Sequence, residues 1–273
     1  MKLNRRIWLA GLLTTAFVAG CGTAPQAPST TASAVTPQIR MALAPTGKLR
    51  VGVYNGSPTS LVIDKNGNKA GIAYELGRDL AQQLGVPFEA KEYKRIAEVI
   101  EAMKKEEVDF TFTNATEARA KDVSFSTPLV SLELGYLLPA GSPIQKIAEI
   151  DRSGVKVGVT EGSSSFGALS KLFKNATLTT APTIKAAAEQ LKSRQIDAFA
   201  TNKGILYELA SSVPGARILD ERWGLEHMAI AIPKGRDNGL AYANTFGLNI
   251  KNNGSLQAIV LRSGLRGTVT SSQ

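Results

Sequence analysis

Two rhythms of apolar residues alternate along residues 48–265. Short runs rich in β-branched residues, such as Leu49-Arg-Val-Gly-Val-Tyr54, predict strands at 48–54, 108–113, 155–159, 177–179, 197–201 and 228–232, and Pro87 to Tyr93 reads as extended. Between them the spacing widens to three or four. Leu76, Leu80 and Leu84 predict a helix over 72–84, and Ile96, Val99, Ile100 and Met103 predict one over 96–105. Further helices are expected at 165–174, 183–194, 204–212, 237–252 and 255–264, with a turn at Asp64-Lys-Asn-Gly-Asn68. Alternating strands and helices define the α/β class, with mostly parallel sheets. Val51-Gly52-Val53 and Val157-Gly158-Val159 open two βα units of similar design, which favours two compact lobes of about 100 residues over one large sheet. Ligands in such sheets sit beyond the carboxyl ends of strands, here the loops 54–60, 113–119, 160–165 and 201–203.

The first residues follow neither rhythm. Lys2, Arg5 and Arg6 precede an apolar run from Ile7 to Gly20, too short to span a ~30 Å hydrocarbon layer comfortably. Residues 1–20 are therefore expected to be a secretory signal peptide. Val18-Ala19-Gly20-Cys21 resembles a bacterial lipobox, which implies cleavage after Gly20, lipid on Cys21 and an anchor on the outer side of a membrane. The pair Arg5-Arg6 leaves general and twin-arginine export both open. Residues 21–46, rich in Thr, Ala, Pro and Ser, read as a flexible tether.

Composition narrows the chemistry. One Cys and one His in 273 residues exclude Cys/His zinc sites, disulfide frameworks and two-cysteine redox motifs, and no phosphate-binding or dinucleotide glycine motif occurs, so no metal and no cofactor is expected. Net charge is +9; without the three basic residues of the leader, 29 basic against 23 acidic residues leave +6. The basic residues are dispersed among acids, as in Lys104-Lys105-Glu106-Glu107, which disfavours nucleic acid as a partner.

Several segments together resemble type II periplasmic solute-binding proteins of the amino-acid ABC-transporter group. They are Leu49 to Val53, Asp64 to Gly71, Leu84 to Phe88, Val108-Asp109, Thr116 to Arg119 followed by Phe125 to Pro128, Val155 to Ser164, Asp197 to Ala200 and Ala229 to Gly235. The resemblance implies two Rossmann-like lobes joined by a two-crossing hinge. Lobe 1 would comprise 47–133 plus 227–273 and lobe 2 would comprise 134–226, with crossings near Leu132–Gly135 and Gly224–Met228. It implies a monomer that captures a small carboxylate ligand by hinge closure and delivers it to an ABC permease and ATPase complex.

The resemblance also assigns site residues. Local sequence alone reads Arg119 as a surface arginine beside Glu117; the family position makes it a ligand-carboxylate clamp, through a planar fork of donors. Asn114 would touch the same end of the ligand or simply end a strand, and Thr116 would donate to ligand or cap the residues after it. Ser163 and Ser164 would receive the carboxylate from the opposite lobe or only cap a helix. Tyr54, Asn55 and Ser57 would form pocket wall. Two departures bear on the ligand. Asn202 stands where the family's ammonium-binding acid is expected, and Ser57-Pro58-Thr59-Ser60 lacks an aromatic. An amino-acid ligand then requires Asp64, Glu161 or another acid to take that role. Two other functions remain open: a cyclohexadienyl-dehydratase-like enzyme on the same scaffold, for which no catalytic residue is evident, and a sensory or partner-docking lipoprotein. His227 reads as a hinge or core residue.

Overall fold

The computed structural model describes residues 34–269. The expected signal peptide and Cys21 lie outside them. Helix α1 (Pro37–Leu43) and strand β1 (Leu49–Tyr54) precede a short hairpin of β2 (Val62–Ile63) and β3 (Lys69–Ala70). Helix α2 (Ile72–Leu84), β4 (Phe88–Tyr93) and α3 (Ile96–Lys104) lead to β5 (Thr111–Asn114), α4 (Glu117–Ala120) and β6 (Val123–Phe125). The long β7 (Val130–Leu138) runs into a second series: β8 (Lys156–Thr160), α5 (Ser164–Leu172), β9 (Thr177–Ala181), α6 (Ile184–Lys192), β10 (Ala198–Asn202), α7 (Lys203–Ser212) and β11 (Arg217–Ile218). Strand β12 (Gly224–Pro233) returns to α8 (Asp237–Asn252), α9 (Ser255–Arg262) and β13 (Thr268–Val269).

Within each half the expected parallel pairing holds, β1 with β4, and β8 with β9 and β10. Between the halves it does not. The sheet runs β5-β12-β7-β10-β8-β9, and β7 and β12 are antiparallel to each other and to their other neighbours. The reason is topological: one strand leaves the first half and the other returns to it. They pair from Gly224 opposite Leu134 to Met228 opposite Val130, the segments expected to cross. Strand β12 begins four residues earlier than the apolar run 228–232 suggests, which brings Glu226 into the sheet.

The tether expectation fails over its last third. Thr36 caps α1 by accepting the N–H of Ile39 at 3.3 Å, Pro37 starts it, and Leu43 is fully buried. Arg40 Nε donates to the carbonyl of Leu84 at 2.7 Å, and Arg236 Nη1 to that of Ala42 at 3.2 Å. The average polarity of residues 22–46 hid one apolar pair at helical spacing, Ile39 and Leu43.

Burial of the Leu76, Leu80 and Leu84 stripe seats α2 on β1 so closely that a Cβ on Gly77 would fall 2.5 Å from a Val51 methyl. One buried apolar cluster holds Tyr54 and Ile96 from the first half together with Ile184 and Ile205 from the second. The halves are thus in contact, with the strand ends facing one another.

Candidate functional site

Where they face lies a small cavity. Its polar wall comes from carboxyl ends of strands: Tyr54 from β1, Thr113 and Asn114 from β5, Thr160 from β8, and Thr201 and Asn202 from β10. Ser163 and Ser164 enter from the start of α5, Arg119 from α4, and Glu226 from β12. Ile96, Ile184, Ile205 and Met228 supply an apolar side.

Arg119 is half-buried. Its Nη1 donates to Thr113 Oγ1 at 2.8 Å and to the Asn114 carbonyl at 3.3 Å. Burial pulls its pKa below the ordinary arginine value, and the charge of Glu226 opposes that shift. Tyr54 is buried and its phenol pKa is raised, chiefly by desolvation. Glu226 is 5% exposed. Its carboxylate accepts Ser164 Oγ at 2.5 Å, Asn202 Nδ2 at 2.9 Å and Asn114 Nδ2 at 3.4 Å.

Six of the nine expected ligand residues line this cavity: Arg119, Asn114, Ser163, Ser164, Asn202 and Tyr54. Three do not. Thr116 caps α4, its hydroxyl accepting the N–H of Arg119 at 3.2 Å. Ser57 is buried behind the wall, 2.8 Å from Thr59 Oγ1. Asn55 is exposed and bonds the N–H of Gly56. Ser163 both lines the cavity and caps α5, accepting from Phe166 N at 3.1 Å. Glu161 sits at the mouth paired with Arg95 at 3.2 Å, and Asp64 closes its own turn with Asn66 and Asn68, so neither acid enters the pocket. The acid that does, Glu226, was missed. The signal for it was a charged residue inside a segment expected to cross between lobes. His227, its neighbour, points out of the pocket toward Ser131 at 3.2 Å.

The mouth shows how tightly the halves meet. Gly162 has φ +68°, and a Cβ there would lie 2.5 Å from the Ala97 Cβ of α3. Gly162→Ala is expected to hold the cleft open. Overpacking and left-handed strain together cost about 1–3 kcal/mol, roughly a 5- to 150-fold loss of affinity. Calorimetric titration checks this, and Ala97→Gly in the same chain should recover part of the loss.

Two α/β halves hinged on an antiparallel strand pair, with a charged polar pocket between them, define a cleft-type ligand-binding protein. Residues 49–263 match the bacterial extracellular solute-binding proteins, family 3, and the chain belongs to that family. It has the type II periplasmic-binding-protein fold. A glutamine-binding protein of Geobacillus stearothermophilus is 26% identical over 249 residues, covering 85% of this chain and 94% of the relative. The structure of an ancestral arginine-binding protein bound to arginine superposes with a TM-score of 0.72 at 27% identity, covering 79% of this chain and 97% of the other. A solute receptor for L-cysteine of Neisseria gonorrhoeae shares the fold, with a TM-score of 0.73 at 24% identity, over 83% of this chain and 92% of the other.

Proposed function

We propose that this chain is the ligand-capture subunit of an ABC importer, taking a small carboxylate-bearing ligand, an amino acid or a related organic acid, into the cleft. The observation that carries the ligand class is Arg119: a guanidinium desolvated at the pocket, bonded only to a hydroxyl and a carbonyl, with its remaining donors available for a carboxylate. Residues 47–133 plus 227–273 would move as one lobe and 134–226 as the other, closing about the β7–β12 pair. Lipid on Cys21 would hold the monomer on the periplasmic or cell-surface side, beside a permease and ATPase complex. We read the chain as a binding protein rather than an enzyme. The relatives named above are binding proteins, and the pocket carboxylate is held by three neutral donors.

A thermal-shift screen of amino acids, hydroxy acids and dicarboxylates tests this. Ligand at about 100 times Kd should add roughly 2.7 kcal/mol, a rise of roughly 5–10 °C at this size. Small-angle scattering should show a compaction with the same compound. Silence across the whole panel would count against the carboxylate reading.

A further inference from the structure

We propose that residues Leu265–Val269 form a strap across the hinge that holds α7 against the first half and so sets how often the ligand-free cleft is closed. This rests on the hinge reading of β7 and β12, and on no statement about the ligand.

The strap begins on the first half. Leu265 is buried in the cluster that also holds Leu129, Leu256 and Val260. Beyond it the chain joins the hinge. The N–H of Glu133 donates to the Gly267 carbonyl at 2.9 Å, and Thr268 and Val269 pair antiparallel with Leu132 and Ser131 of β7. Strand β12 pairs with the same stretch of β7, so β13 takes the opposite edge. Further along, that edge belongs to β10, where Asn202 lies opposite Leu134. Strap and β10 therefore meet end to end, at the strand end that carries Asn202 into the pocket.

From there the strap reaches α7 of the second half. A Cβ on Gly204 would fall 2.5 Å from Leu265 Cδ1, and one on Gly267, at φ +79°, would fall 2.6 Å from Lys203 Cβ. The two glycines let strap and helix approach this closely. The Arg266 guanidinium lies over the Tyr207 ring, 4.1 Å from its centre, and its Nη2 donates to the Tyr207 carbonyl at 3.3 Å. Lys203 is nearly buried, and its Nζ bonds Glu133 at 2.7 Å and the Asp220 carbonyl at 2.7 Å. A cation at the first position of a helix opposes the helix dipole, so this lysine needs that carboxylate. The pair ties α7 to the hinge strand beside the strap.

Lys203, Gly204, Tyr207, Leu265, Arg266 and Gly267 all lie outside the lining of the ligand cavity. They act on the motion instead. Rotation of the second half about β7–β12 carries Gly204 and Tyr207 with it, while Leu265 stays in the core of the first half. The strap contacts are therefore made in the closed arrangement and lost on opening. An interaction made in only one of two states shifts their ratio by its full free energy.

The test is a pulsed electron–electron distance measurement on the ligand-free chain. Spin labels go on Lys65→Cys in the first half and Lys171→Cys in the second, both exposed, with Cys21→Ala so that only this pair reacts. Arg266→Ala should lower the ratio of short to long distances about threefold, the size of a partly exposed cation–π pair. Gly204→Ala, which wedges α7 away from Leu265, should lower it about tenfold or more. Adding Leu265→Val to Gly204→Ala removes the opposing methyl and should return most of the short-distance population. A merely structural role would lower the melting temperature and leave the ratio alone. The strap is overturned if Gly204→Ala leaves the ratio of two wild-type populations within about twofold, or if Leu265→Val fails to restore it. A single distance shared by the wild type and every variant overturns the hinge reading together with the strap.

Discussion

Arg119→Ala is expected to weaken ligand binding by about 2–5 kcal/mol, roughly 30- to 4,000-fold, because it strips a desolvated carboxylate of its counter-ion and leaves that carboxylate buried. The melting temperature of the unliganded protein should hardly change. In the empty pocket the guanidinium contributes two hydrogen bonds to neutral oxygens and has been removed from water without an ion-pair partner, so its deletion loses little and relieves a desolvation cost. Arg119→Lys should recover only part of the affinity, since an ammonium supplies a point charge but no planar fork. Titration calorimetry and a melt of each variant give the two numbers. A change in affinity below threefold, with the fold intact, would remove Arg119 from the clamp role.

The loops that build this site are legible in the sequence through periodicity, whereas the individual site residues are assigned by the family resemblance. Strand ends are legible where a β-branched run stops at a polar residue, and Tyr54, Asn114, Ser163 and Asn202 all lie at or just beyond such an end. The loops expected to meet, near residues 54, 114, 160 and 202, do contribute to one cavity. What periodicity missed was set by tertiary pairing. Strand β7, Val-Ser-Leu-Glu-Leu-Gly-Tyr-Leu-Leu, alternates only in its first half, because its end is buried on both faces. Glu226 was lost for the same reason: it belongs to β12 through its pairing opposite Leu132, not through an apolar rhythm of its own. Thr116 and Ser57 do not line the cavity, and Thr116 takes the capping alternative that its sequence also offered. Both are hydroxyls in the right loops, but one is used up as a helix cap and the other by Thr59, and local sequence cannot say which way a short side chain turns. Helix α1 was hidden by its neighbours, since a window average dilutes two apolar residues among many small polar ones.

Asp109→Ala is expected to cost about 3–5 kcal/mol of stability, a large share of the ~5–15 kcal/mol typical of a native domain. Asp109 is fully buried just ahead of β5. Arg50 grips it with Nε at 2.7 Å and Nη2 at 2.8 Å, the backbone N–H of Arg50 adds a third bond at 3.1 Å, and Arg236 Nη1 adds a fourth at 2.9 Å. The hydrogen bonds that Arg50 donates to Asp109 hold the Arg50 pKa above its usual value. Truncation would leave the nearly buried Arg50 guanidinium without its carboxylate and Arg236 with only the exposed Glu106 at 3.3 Å, which is costlier than losing four ordinary bonds. Arg236→Ala should cost less, because Arg50 keeps its bidentate pair. The network ties β1 to the segment leading into β5, and α8 is joined to both through Arg236 at its start, so it fixes the strand that ends in Asn114 from behind. It does not touch the pocket. In urea titrations the Asp109→Ala midpoint should therefore fall sharply while the folded fraction still binds ligand with nearly native affinity. A loss of affinity matching the loss of stability would instead mean that this buried cluster and the Arg119–Glu226 pocket are energetically one unit.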